Sequence, residues 1–192
     1  NRTSGQVSRK YGLMGPNHAV VTACSTGAHS IGDAARMIAL DDADVMLAGG
    51  AEGTINPLGV AGFAQARALN MSMNDRPTEA SRPYDKDRDG FVMGEGAGVV
   101  ILESEEHATA RGATILGRYA GAGLTSDGHH IAQPDPEGTG AARAITEALE
   151  EAHLTPADIV HVNAHATSTP QGDIAEATAI RRALGSAADN IY

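Results

Sequence analysis

The chain has 192 residues, of which 42% are hydrophobic and 20% charged, as expected for a globular α/β protein with a sizeable core. A net charge of −10 and 3% aromatic residues, with no tryptophan, argue against broad nucleic-acid or anionic-membrane binding. One cysteine excludes an internal disulfide and makes a thiolate metal cage implausible, and no apolar run approaches the ~20 residues of a membrane span. We therefore expect neither a nucleic-acid-binding nor a membrane protein.

The chain opens on Asn1 without a signal-like segment. We expect a cytoplasmic protein, and we expect this sequence to be an internal piece of a longer one.

The first strong pattern is an apolar run that ends at Cys24, the only cysteine. Small residues follow it, and then a helical spacing carried by Ile31, Ala34 and Ile38. This pattern predicts a strand, a sharp turn and a helix, with the thiol at the turn. A helix N-terminus favours the thiolate, which is the nucleophilic form of cysteine. The alternative is a buried structural cysteine.

The next segments predict a strand over residues 45–50, a helix over 57–69 and a polar loop over 70–82. A charged, glycine-rich block over 82–96 then leads into a strand over 97–102 and a helix that ends near Arg111. The strand at Cys24, its helix and the strand at 45–50 together predict a parallel crossover unit.

A second cycle follows, with strands predicted over 113–123 and 159–164 and a helix between them over 138–152. A last helix is predicted over 173–184, where Asp173 and Glu176 have the spacing of a capping box. Two such cycles indicate two similar α/β halves, which we assign to residues 1–112 and 113–192. Ligands of such sheets bind outside the carboxyl ends of the strands.

His165 stands at the end of the predicted strand 159–164, before a threonine-rich loop. A neutral imidazole there can donate a hydrogen bond to a developing oxyanion or exchange protons. The alternative is a histidine that neighbouring loop hydroxyls satisfy.

Three other patterns do not predict a site. The Asp85, Asp87 and Asp89 spacing imitates a calcium loop, but position 96 is glycine where that loop needs glutamate, so mutual pairing of the arginines and aspartates in this loop is the better interpretation. The glycines of 94–98 precede a predicted strand, whereas a dinucleotide fingerprint precedes a helix. The eight histidines show no metal-ligand spacing, so we expect no metal.

Three blocks of this sequence resemble the β-ketoacyl-acyl carrier protein synthases of the thiolase superfamily, specifically the elongating type II enzymes. The first block surrounds Cys24 (residues 22–27), the second covers residues 82–96, and the third is 163–170 around His165. The resemblance runs from end to end and implies a thiolase-like α/β fold of two similar halves in α/β/α layers, incomplete in this chain.

The resemblance implies an acyltransferase that needs no cofactor, because its substrates are carried on the phosphopantetheine of an acyl carrier protein. Cys24 would take the acyl chain as a thioester, with its backbone N–H as an oxyanion-hole donor. Malonyl-carrier protein would then lose CO2, and its enolate would attack the acyl-enzyme. His165 would hydrogen-bond the malonyl thioester oxygen as negative charge develops there. The resemblance also implies a homodimer. The alternative to a cytoplasmic protein is one of the mitochondrial or plastid matrix.

Four further assignments follow from the resemblance by position. Thr167 and Thr169 resemble the residues that hold the pantetheine arm. Phe63 resembles a wall of the acyl pocket, with core packing as its alternative. Arg67 resembles a contact at the carrier-protein entrance, with a solvated surface charge as its alternative.

The chain also departs from the family pattern. The family's catalytic lysine, second histidine and loop phenylalanine all lie beyond residue 192, so we expect residues 1–192 alone to be inactive in condensation. Ala166 stands where many relatives have glycine. Three alternatives stay open: a polyketide ketosynthase, a thiolase that uses coenzyme A, and a non-catalytic chain-length-determining subunit. Cys24 disfavours the last, because such subunits typically lack the nucleophile.

Overall fold

The computed structural model describes residues 2–192, which form two compact units. The first unit contains the chain up to Gly53 together with Glu95–Tyr119, and the second contains Thr54–Gly94 together with Ala120–Tyr192. The boundary that the sequence predicts at residue 112 stays a prediction. The elements in chain order are α1 (Arg2–Tyr11), α2 (Thr26–Ala39), β1 (Val45–Glu52), α3 (Pro57–Gln65), β2 (Gly96–Glu103), α4 (Glu105–Ala110), α5 (Thr139–Ala152) and α6 (Pro170–Leu184).

The first unit is built on an antiparallel pair, β1 and β2, whose register runs from Val45 opposite Glu103 to Glu52 opposite Gly96. Helix α2 packs against both strands. Small side chains allow this close packing, since Ala34 of α2 and Ala48 of β1 are both buried.

The predicted strand before Cys24 is not formed. Residues 16–22 have no strand pairing within 2–192, and Ala23–Ser25 is a single 3₁₀ turn. A strand exists only as part of a ladder, and the partner of β1 here is β2 rather than the run before Cys24. The predicted parallel crossover is therefore present only as its helix and its second strand, whereas the strands predicted over 45–50 and 97–102 are confirmed.

The second unit centres on α5 packed against α6. Ala142 and Leu149 of α5 and Ala175 and Ala179 of α6 are buried. The helix predicted over 138–152 is confirmed as α5, and the one predicted over 57–69 is confirmed but ends earlier, at Gln65.

Two further predicted strands, in the later part of the chain, do not form a β-ladder. Residues 113–123 have no strand pairing within 2–192. Residues 159–164 are also outside any assigned strand, but Val162 N–H donates to the Tyr192 carbonyl at 3.0 Å and Tyr192 N–H donates to the Val160 carbonyl at 3.3 Å. These two hydrogen bonds have the pattern of a single parallel β-bridge.

The last helix begins three residues before its predicted start. Thr169 is its N-cap, accepting from Gly172 N–H at 3.2 Å, and Pro170 is its first residue. The predicted capping box of Asp173 and Glu176 is wrong, because both residues lie inside the helix and their carboxylates bind elsewhere.

Candidate active site

The Cys24 thiol is exposed on the tight turn that leads directly into α2. Ala23 has a φ of +51°, a left-handed conformation that is unusual for a residue with a side chain. Hydroxyl groups hold this turn: Thr26 Oγ1 donates to the Ala23 carbonyl at 2.8 Å and accepts from Thr22 N–H at 3.0 Å, while Ser25 Oγ donates to the Thr22 carbonyl at 2.8 Å. The turn therefore presents the thiol at the N-terminus of a helix, as predicted.

The start of α2 is fixed against β1. A Cβ added at Gly27 would lie 3.6 Å from the Gly50 backbone nitrogen, so helix and strand approach closely here. One turn further on, the Ser30 hydroxyl donates to the Gly49 carbonyl at 2.7 Å and accepts from Gly49 N–H at 2.9 Å. These contacts anchor the helix that begins behind the thiol.

In the second unit, His165 is exposed at the start of a short loop that precedes α6. Ala166 and Ser168 in this loop have φ of +46° and +66°. The N–H groups of His165 and Ala166 donate to the Glu176 carboxylate at 2.5 and 2.8 Å. The carboxylate thus fixes the backbone from which the imidazole projects.

The middle of the same loop is buried at Ser168, which is fully inaccessible to solvent. Its N–H donates to Asp173 Oδ1 at 3.0 Å, its hydroxyl accepts from Arg82 N–H at 3.0 Å, and its carbonyl accepts from Gly90 N–H at 2.9 Å. Gly90 has a φ of +135°, and a Cβ there would lie 2.5 Å from the Leu69 carbonyl carbon, so only glycine fits. The charged block over 82–96 therefore supports the His165 loop.

Asp173 is 1% exposed, and a cation and two N–H donors compensate its charge. Arg88 Nε lies 3.2 Å from Asp173 Oδ2, which also accepts from Tyr84 N–H at 2.7 Å. The Arg88 guanidinium also donates to the carbonyls of Thr169 at 3.1 Å and Pro170 at 2.5 Å. The predicted pairing within the charged loop is confirmed for Arg82 with Asp85 at 3.4 Å, but Arg88 pairs outside the loop, with Asp173.

Tyr84 reaches the second carboxylate of α6, since its hydroxyl donates to Glu176 Oε2 at 2.8 Å. Partial burial of the phenol, followed by the hydrogen bond to Glu176, raises the pKa of Tyr84 well above its ordinary value. The phenol therefore stays protonated and remains a donor to Glu176.

The two threonines assigned to pantetheine binding lie together in the second unit. Thr167 Oγ1 and Thr169 Oγ1 are 2.9 Å apart and form a hydrogen bond. Both side chains are partly buried, in the loop that begins with His165. The structure thus brings three of the predicted site residues into one loop.

Phe63 and Arg67 lie at the end of α3 and just after it, also in the second unit. The Phe63 ring packs edge-to-face on Phe91 with centroids 5.2 Å apart, and 43% of the residue remains exposed. Arg67 is exposed and has a φ of +56°. Phe63 therefore has both a packing contact and a free surface, and Arg67 is a solvated cation.

Sequence reasoning missed the four residues that hold the His165 loop, namely Tyr84, Arg88, Asp173 and Glu176. Asp173 and Glu176 are separated by 89 and 92 positions from their Tyr84 partner, so no local pattern reports the contact. The available signal was the sequence Thr169-Pro170, a cap followed by a first-turn proline, which places both carboxylates inside a helix.

Within residues 2–192, no group of histidine, cysteine and acidic side chains is arranged to hold a metal ion. Across the same residues, no helix has the length and apolar character to span a bilayer.

Comparison with known proteins adds two family matches. The model of the β-ketoacyl synthase N-terminal domain matches residues 1–108, and that of the β-ketoacyl synthase C-terminal domain matches residues 116–192.

The sequences of curated relatives align with nearly the whole chain. The chain is 60% identical, over 94% of its length, to the mitochondrial 3-oxoacyl-[acyl-carrier-protein] synthase of Arabidopsis thaliana. It is 56% identical over its whole length to 3-oxoacyl-[acyl-carrier-protein] synthase 2 of Rhizobium meliloti (strain 1021). The chain spans only 39% and 45% of these two proteins, which is less than half of each.

Solved structures of ketosynthases also match this chain. A β-ketoacyl synthase from Burkholderia phymatum STM815 matches with a TM-score of 0.90 and 44% identity, over 95% of this chain and 44% of that one. A type II polyketide ketosynthase bound to its acyl carrier protein and a hexaketide matches with a TM-score of 0.95 and 36% identity, over 98% of this chain and 46% of that one. These matches confirm the predicted thiolase-like α/β fold, of which the chain holds a part.

Proposed function

The chain belongs to the β-ketoacyl synthase family, and on that premise we propose that the full-length protein is a 3-oxoacyl-acyl carrier protein synthase of type II fatty-acid synthesis. The observation that carries this proposal is the exposed Cys24 thiol on the turn that opens α2. The 56–60% identity to relatives named 3-oxoacyl-acyl carrier protein synthases supports this substrate class.

The first step is acyl transfer to Cys24. Its sulfur attacks the thioester carbonyl of the acyl carrier protein substrate, a new carbon–sulfur bond forms, and the pantetheine thiol leaves with a proton. The backbone N–H of Cys24 serves as one donor to the oxyanion of the tetrahedral intermediate. The tight turn at Ala23 supports this role because it holds sulfur and N–H in one fixed arrangement.

The second step is decarboxylative condensation. Malonyl-carrier protein loses CO2, the resulting enolate carbon attacks the acyl thioester, and the Cys24 thiolate is released. His165 donates a hydrogen bond to the malonyl thioester oxygen, where negative charge develops. The Glu176 anchor supports this role, since such a donor stabilises a transition state only when its position is fixed beforehand.

Four side chains are proposed for binding. The hydroxyls of Thr167 and Thr169 hold the pantetheine arm, which is consistent with their mutual hydrogen bond in the His165 loop. The exposed part of Phe63 forms a wall of the acyl pocket, and Arg67 contacts the carrier protein. An exposed cation suits an acidic partner.

We propose acyl carrier protein as the partner, a homodimer as the assembly, and no cofactor beyond the substrate's own phosphopantetheine. A similar ketosynthase structure in complex with its acyl carrier protein supports the partner. We propose the cytoplasm as the compartment, with the mitochondrial or plastid matrix as the alternative, in line with one bacterial and one mitochondrial relative.

A polyketide ketosynthase is the second candidate, because the matching structure with a TM-score of 0.95 is one. Its 36% identity lies below the 56–60% of the relatives named for 3-oxoacyl-carrier protein synthesis, so we rank it second.

The test is intact-protein mass spectrometry of the full-length protein after incubation with acyl carrier protein charged with a saturated acyl chain. We expect an adduct of the acyl mass on the wild type and none on Cys24→Ala. Malonyl-carrier protein should then yield a 3-oxoacyl product from the wild type. An unmodified wild type would contradict the proposal and favour a non-catalytic subunit. Acylation by a polyketide carrier protein alone would favour the second candidate.

A further inference from the structure

Glu176 is held by three donors from two separate segments of the chain. Its Oε1 accepts from His165 N–H at 2.5 Å, and its Oε2 accepts both from Ala166 N–H and from the Tyr84 hydroxyl at 2.8 Å. Two of these donors belong to the loop that Glu176 positions. Tyr84 is therefore the donor that ties the carboxylate to another part of the second unit.

Tyr84 is itself fixed at its backbone. Its N–H donates to Asp173 Oδ2 at 2.7 Å, the oxygen that also pairs with Arg88. Its φ of +62° is a left-handed conformation, which a residue with a side chain keeps only when its surroundings hold it there. The backbone of Tyr84 thus contacts one carboxylate of α6 and its phenol contacts the other.

A glutamate side chain has three rotatable bonds, and its carboxylate turns freely about the last of them unless donors fix it. Without the phenol, the donors that remain at the Glu176 carboxylate among residues 2–192 are the His165 and Ala166 N–H groups. The carboxylate and the loop backbone could then shift together. The position of the His165 ring follows that of its backbone, and a donor to a developing oxyanion loses much of its effect when it is displaced by about 1 Å.

We propose that Tyr84 is a positioning residue for the condensing step: its hydroxyl fixes the Glu176 carboxylate, and through it the backbone of His165. This inference rests on the proposed function, in which His165 acts in condensation and not in acyl transfer to Cys24. Tyr84 therefore affects the second half-reaction selectively.

The experiment compares Tyr84→Phe with wild type in the full-length protein. Phenylalanine keeps the ring and removes only the hydroxyl, and Tyr11→Phe, at an exposed tyrosine of α1, is the matched control. Acylation of Cys24 and condensation with malonyl-carrier protein are timed separately, and Tm is recorded for each variant. The positioning role predicts a condensation rate roughly tenfold lower for Tyr84→Phe with acylation near wild type, and the lost hydrogen bond to Glu176 should lower Tm by only a few degrees. Tyr11→Phe should match wild type in all three.

A second variant tests the route through Glu176. In a Glu176→Gln background, Tyr84→Phe should cause little further loss, because the two residues act as one unit. Independent, multiplicative losses would overturn the route. Unchanged condensation in Tyr84→Phe, or equal losses in both half-reactions, would overturn the positioning role. Failure of wild-type Cys24 to become acylated would instead overturn the proposed function.

Discussion

The Ser30 hydroxyl makes two hydrogen bonds to one residue of the neighbouring strand, donating to the Gly49 carbonyl at 2.7 Å and accepting from Gly49 N–H at 2.9 Å. Gly49 also belongs to β1, the strand paired with β2, so a single side chain joins α2 to the sheet. Because α2 starts directly after the Cys24 turn, this contact stabilises the base of the proposed nucleophile.

We expect Ser30→Ala to lower the free energy of unfolding by about 1–3 kcal/mol, since it leaves two partly buried backbone groups of Gly49 unsatisfied. Urea denaturation of the full-length protein measures this change. Ser186→Ala, at an exposed serine, should stay within about 0.5 kcal/mol of wild type. Equal midpoints for the two variants would contradict the structural role of Ser30.

Asp173→Asn tests the buried ion pair with Arg88. Removing one charge of such a pair leaves the other buried without compensation, so we expect a loss of about 3–5 kcal/mol or failure to accumulate folded protein. The control is Asp189→Asn, which breaks the exposed pair with Arg181 and should cost less than about 1 kcal/mol. Denaturation midpoints, or soluble yield, separate the two. A folded Asp173→Asn variant as stable as Asp189→Asn would disprove the importance of the buried pair.

Variants of Thr167 and Thr169 distinguish a role in capping α6 from a role in binding substrate. Thr169→Val removes the N-cap of α6 and should cost about 1 kcal/mol of stability, whereas Thr167→Val keeps the cap and should cost about half that or less. If both hydroxyls hold the pantetheine arm, both variants should raise KM for acyl carrier protein substrates. Steady-state kinetics and urea denaturation on the same samples give the comparison. An unchanged KM for Thr167→Val would remove that residue from the binding site.

The raised pKa of Tyr84 predicts that the free energy of unfolding decreases with rising pH in the alkaline range. Its pKa is raised in the folded state, so above the ordinary value of 10.0 the folded protein retains a proton that the unfolded chain loses. The stability contribution is therefore complete below about pH 10 and declines as pH rises further. We expect the urea midpoint of Tyr84→Phe to fall less steeply than that of wild type between about pH 9 and pH 11. Parallel curves would show that Tyr84 does not titrate differently on folding.

The sequence predicted the elements whose signal is local. Helices α2 and α5 follow from the periodic spacing of apolar residues and strands β1 and β2 from continuous apolar runs, and each lies within a few residues of its predicted place. The run before Cys24 has the composition of a strand but no ladder partner within 2–192, and composition does not report pairing. The turn at Cys24 was nevertheless correctly predicted, because small residues and the start of the helical pattern mark it.

The support of His165 was beyond local reasoning. Glu176 lies 11 positions after His165, on helix α6. Because the start of this helix was predicted three residues too late, Glu176 was interpreted as part of a capping box. The partner of Glu176 in the charged block, Tyr84, is 92 positions away. Contacts of that separation depend on tertiary packing, which a single sequence does not show.

The distance along the chain between Tyr84 and Glu176 has a consequence during protein synthesis. A ribosome adding roughly 5–20 residues per second needs roughly 5–20 s to cover 92 positions. Until Asp173 is made, 89 positions after Tyr84, neither Tyr84 nor Arg88 has a carboxylate of α6 to bind. A nascent or truncated product that stops between residues 165 and 176 therefore carries the histidine without the carboxylate that fixes its backbone.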